Sequence, residues 1–184
     1  MIDYLEELSK YAHYPVLAPY WLLNLQTIFQ DDYELATLSY WIEYMNVKTY
    51  LEIGVASGGL MHYFTNILGL KAYGIDIVLQ PTLMVDSKLI YIGDCHSGEA
   101  QKWAKDNGPY DMIFIDGDHS YEAVKLDYEL YENMATKMIV FHDIFQDIWL
   151  GPRQLWNQIE GKKLEVNTNT NLGIGILFVE GGVK

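Results

Sequence analysis

The sequence predicts an α/β fold: a seven-stranded, mostly parallel sheet with helices on both faces and an antiparallel hairpin at its C-terminal edge. Three observations predict it. From Thr49 onward, short apolar runs alternate with helix-length stretches, the pattern of a parallel sheet with right-handed crossovers. The run Met112-Ile-Phe-Ile115 has no polar alternation, as expected of a strand buried on both faces. The last two strand-like runs, residues 163–167 and 174–179, follow one another without a helix between them and therefore pair as a hairpin.

Taken in order, residues 1–46 read as a helical, aromatic cover. Leu22, Ile28, Leu35, Leu38, Trp41, Ile42 and Met45 recur near helical spacing after Pro15 and Pro19. Asp31 or Asp32 can cap a helix over 33–45. Tyr11, Tyr14, Tyr20 and Trp21 crowd one region, so the cover reads either as a plain helical layer or as a lid or subunit surface. The strand 49–54 runs into Val55-Ala-Ser-Gly-Gly59, and a helix over 60–68 stops at Gly69. Strand 71–75 closes on Asp76. Strand 88–92 ends at Gly93-Asp-Cys-His96, and Ser97 caps a helix over 98–105. After the strand ending at Asp116, Ser120 caps a helix whose Tyr121, Val124, Tyr128 and Tyr131 form the apolar stripe. Strand 137–141 leads to His142-Asp143, and a helix over 154–160 follows, with Pro152 suited to its first turn.

The totals bound what the fold can be asked to do. A chain of 184 residues suits one domain, 1–184, with the cover at 1–46 and a core at 47–184. Hydrophobic residues at 50% and charged ones at 20% are those of a globular chain rather than a disordered one. With 12 Lys+Arg against 25 Asp+Glu, the formal charge of −13 argues against nucleic acid or an anionic membrane as partner. The single cysteine, Cys95, excludes an internal disulfide and fits a reducing compartment. No apolar run approaches the ~18 residues of a membrane span, and the acidic start Met-Ile-Asp-Tyr-Leu-Glu-Glu lacks the basic region of a signal peptide. The expectation is a cytoplasmic protein.

Chemistry-bearing residues gather at the predicted strand ends, where open α/β sheets bind ligands. Asp116, Asp118 and His119 follow one such strand within four residues. Gly54, Gly58 and Gly59 follow another; there a backbone without side chains lets a ligand approach, and the next helix offers free N–H groups. Asp76 lies 22 positions after Gly54, where a carboxylate can bond ribose hydroxyls. The glycines do not form the Gly-x-Gly-x-x-Gly arrangement of a pyrophosphate loop, which points to an adenosine site of another kind.

Glu52-Ile-Gly-Val-Ala-Ser-Gly-Gly59 with Asp76 resembles the nucleotide loop of class I S-adenosylmethionine-dependent methyltransferases, a Rossmann-like fold. The resemblance implies S-adenosyl-L-methionine as cofactor. It sets Glu52, Gly54, Ser57, Gly58 and Gly59 along the methionine part, Asp76 on the ribose, and Asp94 with Cys95 at the adenine. Phe114-Ile-Asp-Gly-Asp-His-Ser-Tyr-Glu122 and Phe141-His-Asp-Ile144 are similar to the small methyltransferases related to cephalosporin-hydroxylase-like proteins and macrolide-sugar O-methyltransferases. This likeness spans about residues 50–179. It implies a divalent cation, Mg²⁺ or Mn²⁺, held by Asp116, His142 and Asp143, with Asp116 also facing the cofactor. It further implies that His119 is the catalytic base, with Asp116 beside it as the second catalytic residue.

One position departs from that pattern. Metal-dependent relatives carry a carboxylate or carboxamide where His142 stands, and imidazole is a poorer ligand for Mg²⁺ than for softer cations. The metal is then softer, or relies on Asp116, Asp118 and Asp143, or is absent. The implied activity is methyl transfer to a hydroxyl of a small molecule such as a sugar, polyol or natural product. A metal-independent O- or N-methyltransferase and a non-catalytic binder of the cofactor are the alternatives. Residues 80–87, 144–153 and 167–171 would shape the acceptor pocket, with Trp149 as a lining candidate and Trp156 reading as core. A chain this short suits either a small acceptor or a pocket completed by a second subunit of a homo-oligomer.

Overall fold

The computed structural model describes residues 3–10, 12–13, 27–28, 30–78, 85–148, 150–167 and 172–181. The elements are α1 (Tyr4–Leu8), β1 (Ala12–His13), β2 (Thr27–Ile28), α2 (Asp32–Tyr44), β3 (Thr49–Ile53), α3 (Gly59–Asn66), β4 (Lys71–Asp76), β5 (Ile90–Ile92), α4 (Gly98–Asn107), β6 (Tyr110–Ile115), α5 (Tyr121–Tyr131), β7 (Ala135–Phe141), α6 (Leu150–Gln158), β8 (Lys162–Val166) and β9 (Ile174–Phe178). Seven strands form one sheet in the order β5-β4-β3-β6-β7-β9-β8. Neighbours from β5 through β7 pair in parallel, while β9 runs antiparallel to both β7 and β8. This is the Rossmann-like arrangement expected from the sequence, edge hairpin included.

Side-chain alternation on the central strands splits the interior into two cores. Tyr50, Met112, Phe114, Met138 and Val140 point to the face covered by α2 and α3, where they meet Leu35, Leu38, Met61 and Phe64. Leu51, Ile53, Ile113, Ile115 and Phe141 point to the other, against α4, α5 and α6. Strands apolar at every position are what such a two-faced sheet requires. Burying each large aliphatic or aromatic side chain contributes about 1.5–3 kcal/mol. Trp156 is in this core, as its helical position suggested.

The N-terminal cover departs most from expectation. Among its described residues it is helical at α1 and α2; between them β1 and β2 pair in parallel over two residues, Ala12 with Thr27 and His13 with Ile28. Tyr11, Tyr14, Tyr20, Trp21 and Leu22 lie outside the described residues, as does Trp149. Of the two capping candidates Asp31 is the cap, its Oδ1 accepting from the N–H groups of Tyr33 and Glu34 at 3.0 and 3.2 Å. Other boundaries shift as well, two of them by a nameable cause. Residues 87–89 form a 3-10 turn begun by the Asp86 carboxylate, so the strand expected from 88 starts at Ile90. Helix α6 begins at Leu150 rather than 154; Pro152 is tolerated there because first-turn N–H groups have no intrahelical partner.

At the end of the sheet where the parallel strands start, Asp111 ties three of them. It accepts from the Lys48 and Thr49 N–H groups at 2.7 and 3.3 Å and from the Thr136 hydroxyl at 3.2 Å, and pairs with Lys137 at 3.1 Å. The chemistry lies at the opposite end.

Candidate active site

Backbone hydrogen bonds carry the sheet one residue past the strands and fix where each site residue begins. Gly54 N–H donates to the Ile75 carbonyl at 2.9 Å, Asp116 N–H to Ile53 at 2.9 Å, and His142 N–H to Ile115 at 3.2 Å. Gly54, Asp116 and His142 are therefore adjacent at the carboxyl edge. Above them opens a cavity of about 900 Å³, at the upper end of the range for small-molecule sites. Gly54, Asp76, Asp94, Cys95, Asp116, His119, His142 and Asp143 all line it.

The other expected cofactor residues sit elsewhere. Glu52 and Gly59 line a small adjoining cleft with Gln30 and Asp116. Ser57 is buried and Gly58, at φ +77, begins α3; neither lines the cavity or the cleft. Gly54 has φ +88, and a side chain there would collide with the carbonyl oxygen of Asp116. Its glycine thus serves the closeness of two chain segments as well as access for a ligand. Asp76 braces the glycine turn after β3: Oδ2 accepts from the Val55 and Ala56 N–H groups, both at 2.8 Å, and Oδ1 from the Val78 N–H of its own loop at 3.0 Å. Lone pairs remain on both oxygens for further donors.

At the centre, two carboxylates and two imidazoles converge. His142 Nδ1 stands 3.1 Å from Asp116 Oδ1 and 3.4 Å from Asp143 Oδ1. His119 Nε2 is 2.7 Å from Asp143 Oδ2 and 3.6 Å from Asp116 Oδ1. Burial would lower His142, but Asp116 and Asp143 outweigh it and push its pKa up to about 10. His119 is raised to about 9, by Asp116 first and Asp143 next, against its own burial. In the other direction burial would raise both acids, yet the imidazoles hold Asp116 low and Asp143 well below the carboxylate range. Asp143 has φ +59, a conformation that costs a non-glycine residue about 1–3 kcal/mol. Such strain is often stored at functional sites.

The cluster also fits a cation. Asp116, His142 and Asp143 each offer one ligand atom, all within 4.8 Å of one another. His142 Nδ1, the nitrogen facing both carboxylates, is the natural ligand; its Nε2 is buried with no hydrogen-bond partner among the described residues. An oxygen–nitrogen–oxygen set of this kind suits Mn²⁺ better than Mg²⁺. Asp118 does not join it: Oδ1 accepts from the Ser120 N–H at 2.6 Å, shaping the turn into the Ser120-capped α5.

Three further residues shape the site. Gln30 Nε2 donates to Asp116 Oδ2 at 2.6 Å. Asp127 on α5, 1% exposed, accepts from Cys95 Sγ–H at 3.2 Å and pairs with His96 Nε2 at 2.9 Å. It thereby holds the loop expected at the adenine, and burial pushes the Cys95 thiol pKa well up, so this is no activated nucleophile. Gln146 joins the cavity wall and donates weakly to Asp143 at 3.4 Å. The Val124–Asp127–Tyr131 spacing could have exposed Asp127 as a carboxylate on a buried stripe. Gln30 carries no such signal.

A seven-stranded sheet of this order, with a glycine turn at its carboxyl edge, is the architecture of the class I methyltransferases. The methyltransferase-domain family matches residues 51–144, just over half of the chain, and the protein belongs to that family. The match stops short of the hairpin that the sequence likeness included. In sequence comparison no curated protein matches.

Solved structures agree on the fold. The MycE methyltransferase of mycinamycin biosynthesis, in complex with Mg, S-adenosylhomocysteine and mycinamycin VI, aligns with TM-score 0.63 at 18% identity, over 95% of this chain. The chain spans about half, 53%, of that protein. An O-methyltransferase from Bacillus cereus, in complex with S-adenosylhomocysteine, aligns with TM-score 0.62 at 12% identity, over 98% of this chain and 92% of its own. TomG from Streptomyces achromogenes, an O-methyltransferase of tomaymycin synthesis in complex with S-adenosylmethionine, aligns with TM-score 0.63 at 10% identity, over 98% and 91%. Among the described residues no helix is long and apolar enough to cross a membrane.

Proposed function

We propose that this protein binds S-adenosyl-L-methionine in the strand-end cavity and methylates a hydroxyl of a small molecule such as a sugar, polyol or natural product. The observation that carries this reading is a shared opening: the Gly54 turn, Asp76 and the Asp116–His119–His142–Asp143 cluster all face one cavity. The cofactor supplies an electrophilic methyl group on a sulfonium. The chain supplies the rest. Asp76 would hold the ribose hydroxyls, while Asp94 and Cys95 would border the adenine. Gly54 leaves room for the methionine part, which Glu52, Ser57, Gly58 and Gly59 support from the turn and the adjoining cleft.

Asp116, His142 and Asp143 would hold a divalent cation, Mn²⁺ or Mg²⁺, which lowers the pKa of a hydroxyl that it binds. His119 Nε2 would accept the acceptor's proton. While Asp116 and Asp143 keep it protonated, His119 is a donor; its work as a base calls for both carboxylates to be engaged elsewhere, as cation ligands are. A metal-independent enzyme is the second reading. It is favoured by the ion pairs themselves, in which imidazole protons already neutralise the two carboxylates.

The test is transfer of label from methyl-labelled S-adenosylmethionine to a metabolite extract. Label on a small molecule is expected, and His119→Ala should reduce it by about 10²–10⁴-fold. An undiminished rate in the variant would remove His119 from the role.

A further inference from the structure

The cavity's charge selects among acceptors. Five carboxylates line it, those of Asp76, Asp94, Asp116, Asp118 and Asp143, with three imidazoles, those of His96, His119 and His142. Among the described residues no Lys or Arg does. Even with every imidazole protonated the wall is net negative, and a divalent cation in place of the imidazole protons leaves the same sign.

The sequence extends this beyond the lining. Residues 11–47, 72–87, 138–152 and 164–183 contain no Lys or Arg. These stretches bring Gln30, Asp76, Gln146 and Leu172 to the cavity and its adjoining cleft. The nearby Arg153 is engaged by Asp147 at 3.2 Å. Four lysines stand instead at the opposite end of the sheet. Lys71 and Lys162 open β4 and β8, Lys48 immediately precedes β3, and Lys137 is bound there by Asp111 and by the Asn46 carbonyl at 2.7 Å. Lysines are thus present at the strand starts, while the carboxyl edge where ligands enter carries carboxylates and imidazoles without a lysine or arginine among the described lining residues.

A field of this sign favours the cationic sulfonium cofactor and opposes any anion brought beside it. Among the described residues no guanidinium or ammonium lines the cavity to receive a phosphate, sulfate or carboxylate. We propose that the acceptor is uncharged or cationic, and that phosphorylated, sulfated and carboxylated molecules, coenzyme A thioesters among them, are excluded. The inference rests on the methyltransferase reading and adds the charge class of the substrate.

The experiment separates the two. A metabolite extract is divided by ion exchange at pH 7 into anionic, neutral and cationic pools. Each is incubated with the full chain, Mn²⁺ and methyl-labelled S-adenosylmethionine, against a protein-free blank. Catechol, dopamine and 3,4-dihydroxybenzoate serve as a matched neutral, cationic and anionic set. Label is expected in the neutral or cationic pool, at least about tenfold above the anionic pool, and any turnover of the matched set should fall in the same order. Label chiefly in the anionic pool, or 3,4-dihydroxybenzoate methylated as well as catechol, overturns the inference and leaves the methyltransferase standing. No label in any pool overturns the methyltransferase reading, and the inference with it.

Discussion

Gln30 grips Asp116: its side-chain amide donates to Oδ2 at 2.6 Å, while His142 takes Oδ1 from the other side at 3.1 Å. The strand-end carboxylate is thus positioned from the N-terminal cover as well as from the sheet. Gln30 is 5% exposed, so the bond is shielded from water. Hydrogen bonds to charged groups contribute about 1.5–3 kcal/mol. Gln30→Ala should therefore lose about 2 kcal/mol, a fall of about 4–8 °C in Tm for a chain of this size. An unchanged melting curve would mean that the cover does not hold Asp116.

Gly54 and Gly69 offer a matched pair for backbone strain. Both have positive φ, +88 and +70, but a Cβ on Gly69 meets nothing within 4 Å, whereas one on Gly54 strikes the Asp116 backbone. Gly69→Ala should cost about 1 kcal/mol, the conformational penalty alone. Gly54→Ala should cost at least about 3 kcal/mol, because the ends of β3 and β6 must part. Urea denaturation reads both, and equal losses would contradict the close approach.

Asp111 gives a pH dependence far from the active site. Burial would raise its pKa, but the Lys48 N–H group and Lys137 outweigh burial and hold it below the ordinary carboxylate value. A group depressed on folding stabilises above its unfolded pKa of about 3.9 and loses that contribution as pH falls through the folded value. The stability gap between the wild type and Asp111→Asn should be full above about pH 5 and shrink steadily below about pH 4. Urea midpoints from pH 3 to 7 measure it; a gap that widened on acidification would have the wrong sign.

The cation site makes a prediction independent of turnover. Mn²⁺ binding, followed by calorimetry or by the signal of the free ion, should weaken by at least about tenfold in His142→Ala and in Asp143→Ala. Mn²⁺ should also bind more tightly than Mg²⁺, as an imidazole ligand favours. Equal binding by wild type and both variants would place the ion elsewhere.

Strands β6 and β7 were legible in the sequence because burial on both faces leaves Met112–Ile115 and Met138–Phe141 uninterruptedly apolar. The hairpin was legible because no helix separates its two strands. Asp116, His119, His142 and Asp143 were found because each follows a strand end directly, where the sheet itself brings them together. The β1–β2 pairing was not legible: two residues per strand hold no period, and the partners are 15 positions apart. Gln30 escaped for a related reason, since an amide acting across 86 positions belongs to no local motif. Ile90 and Leu150 show the usual weakness at boundaries: the Asp86-capped 3-10 turn takes the residues read as the start of β5, and Pro152 marks the first turn of α6 without fixing its first residue.

Calorimetric titration of S-adenosylhomocysteine into the full chain tests the central claim most directly. One site per chain is expected, and Asp76→Ala should weaken it about tenfold, the ~1.4 kcal/mol of lost ribose contacts. Absence of binding to the wild-type protein, or equal binding by Asp76→Ala, would contradict the cofactor site built on Gly54 and Asp76.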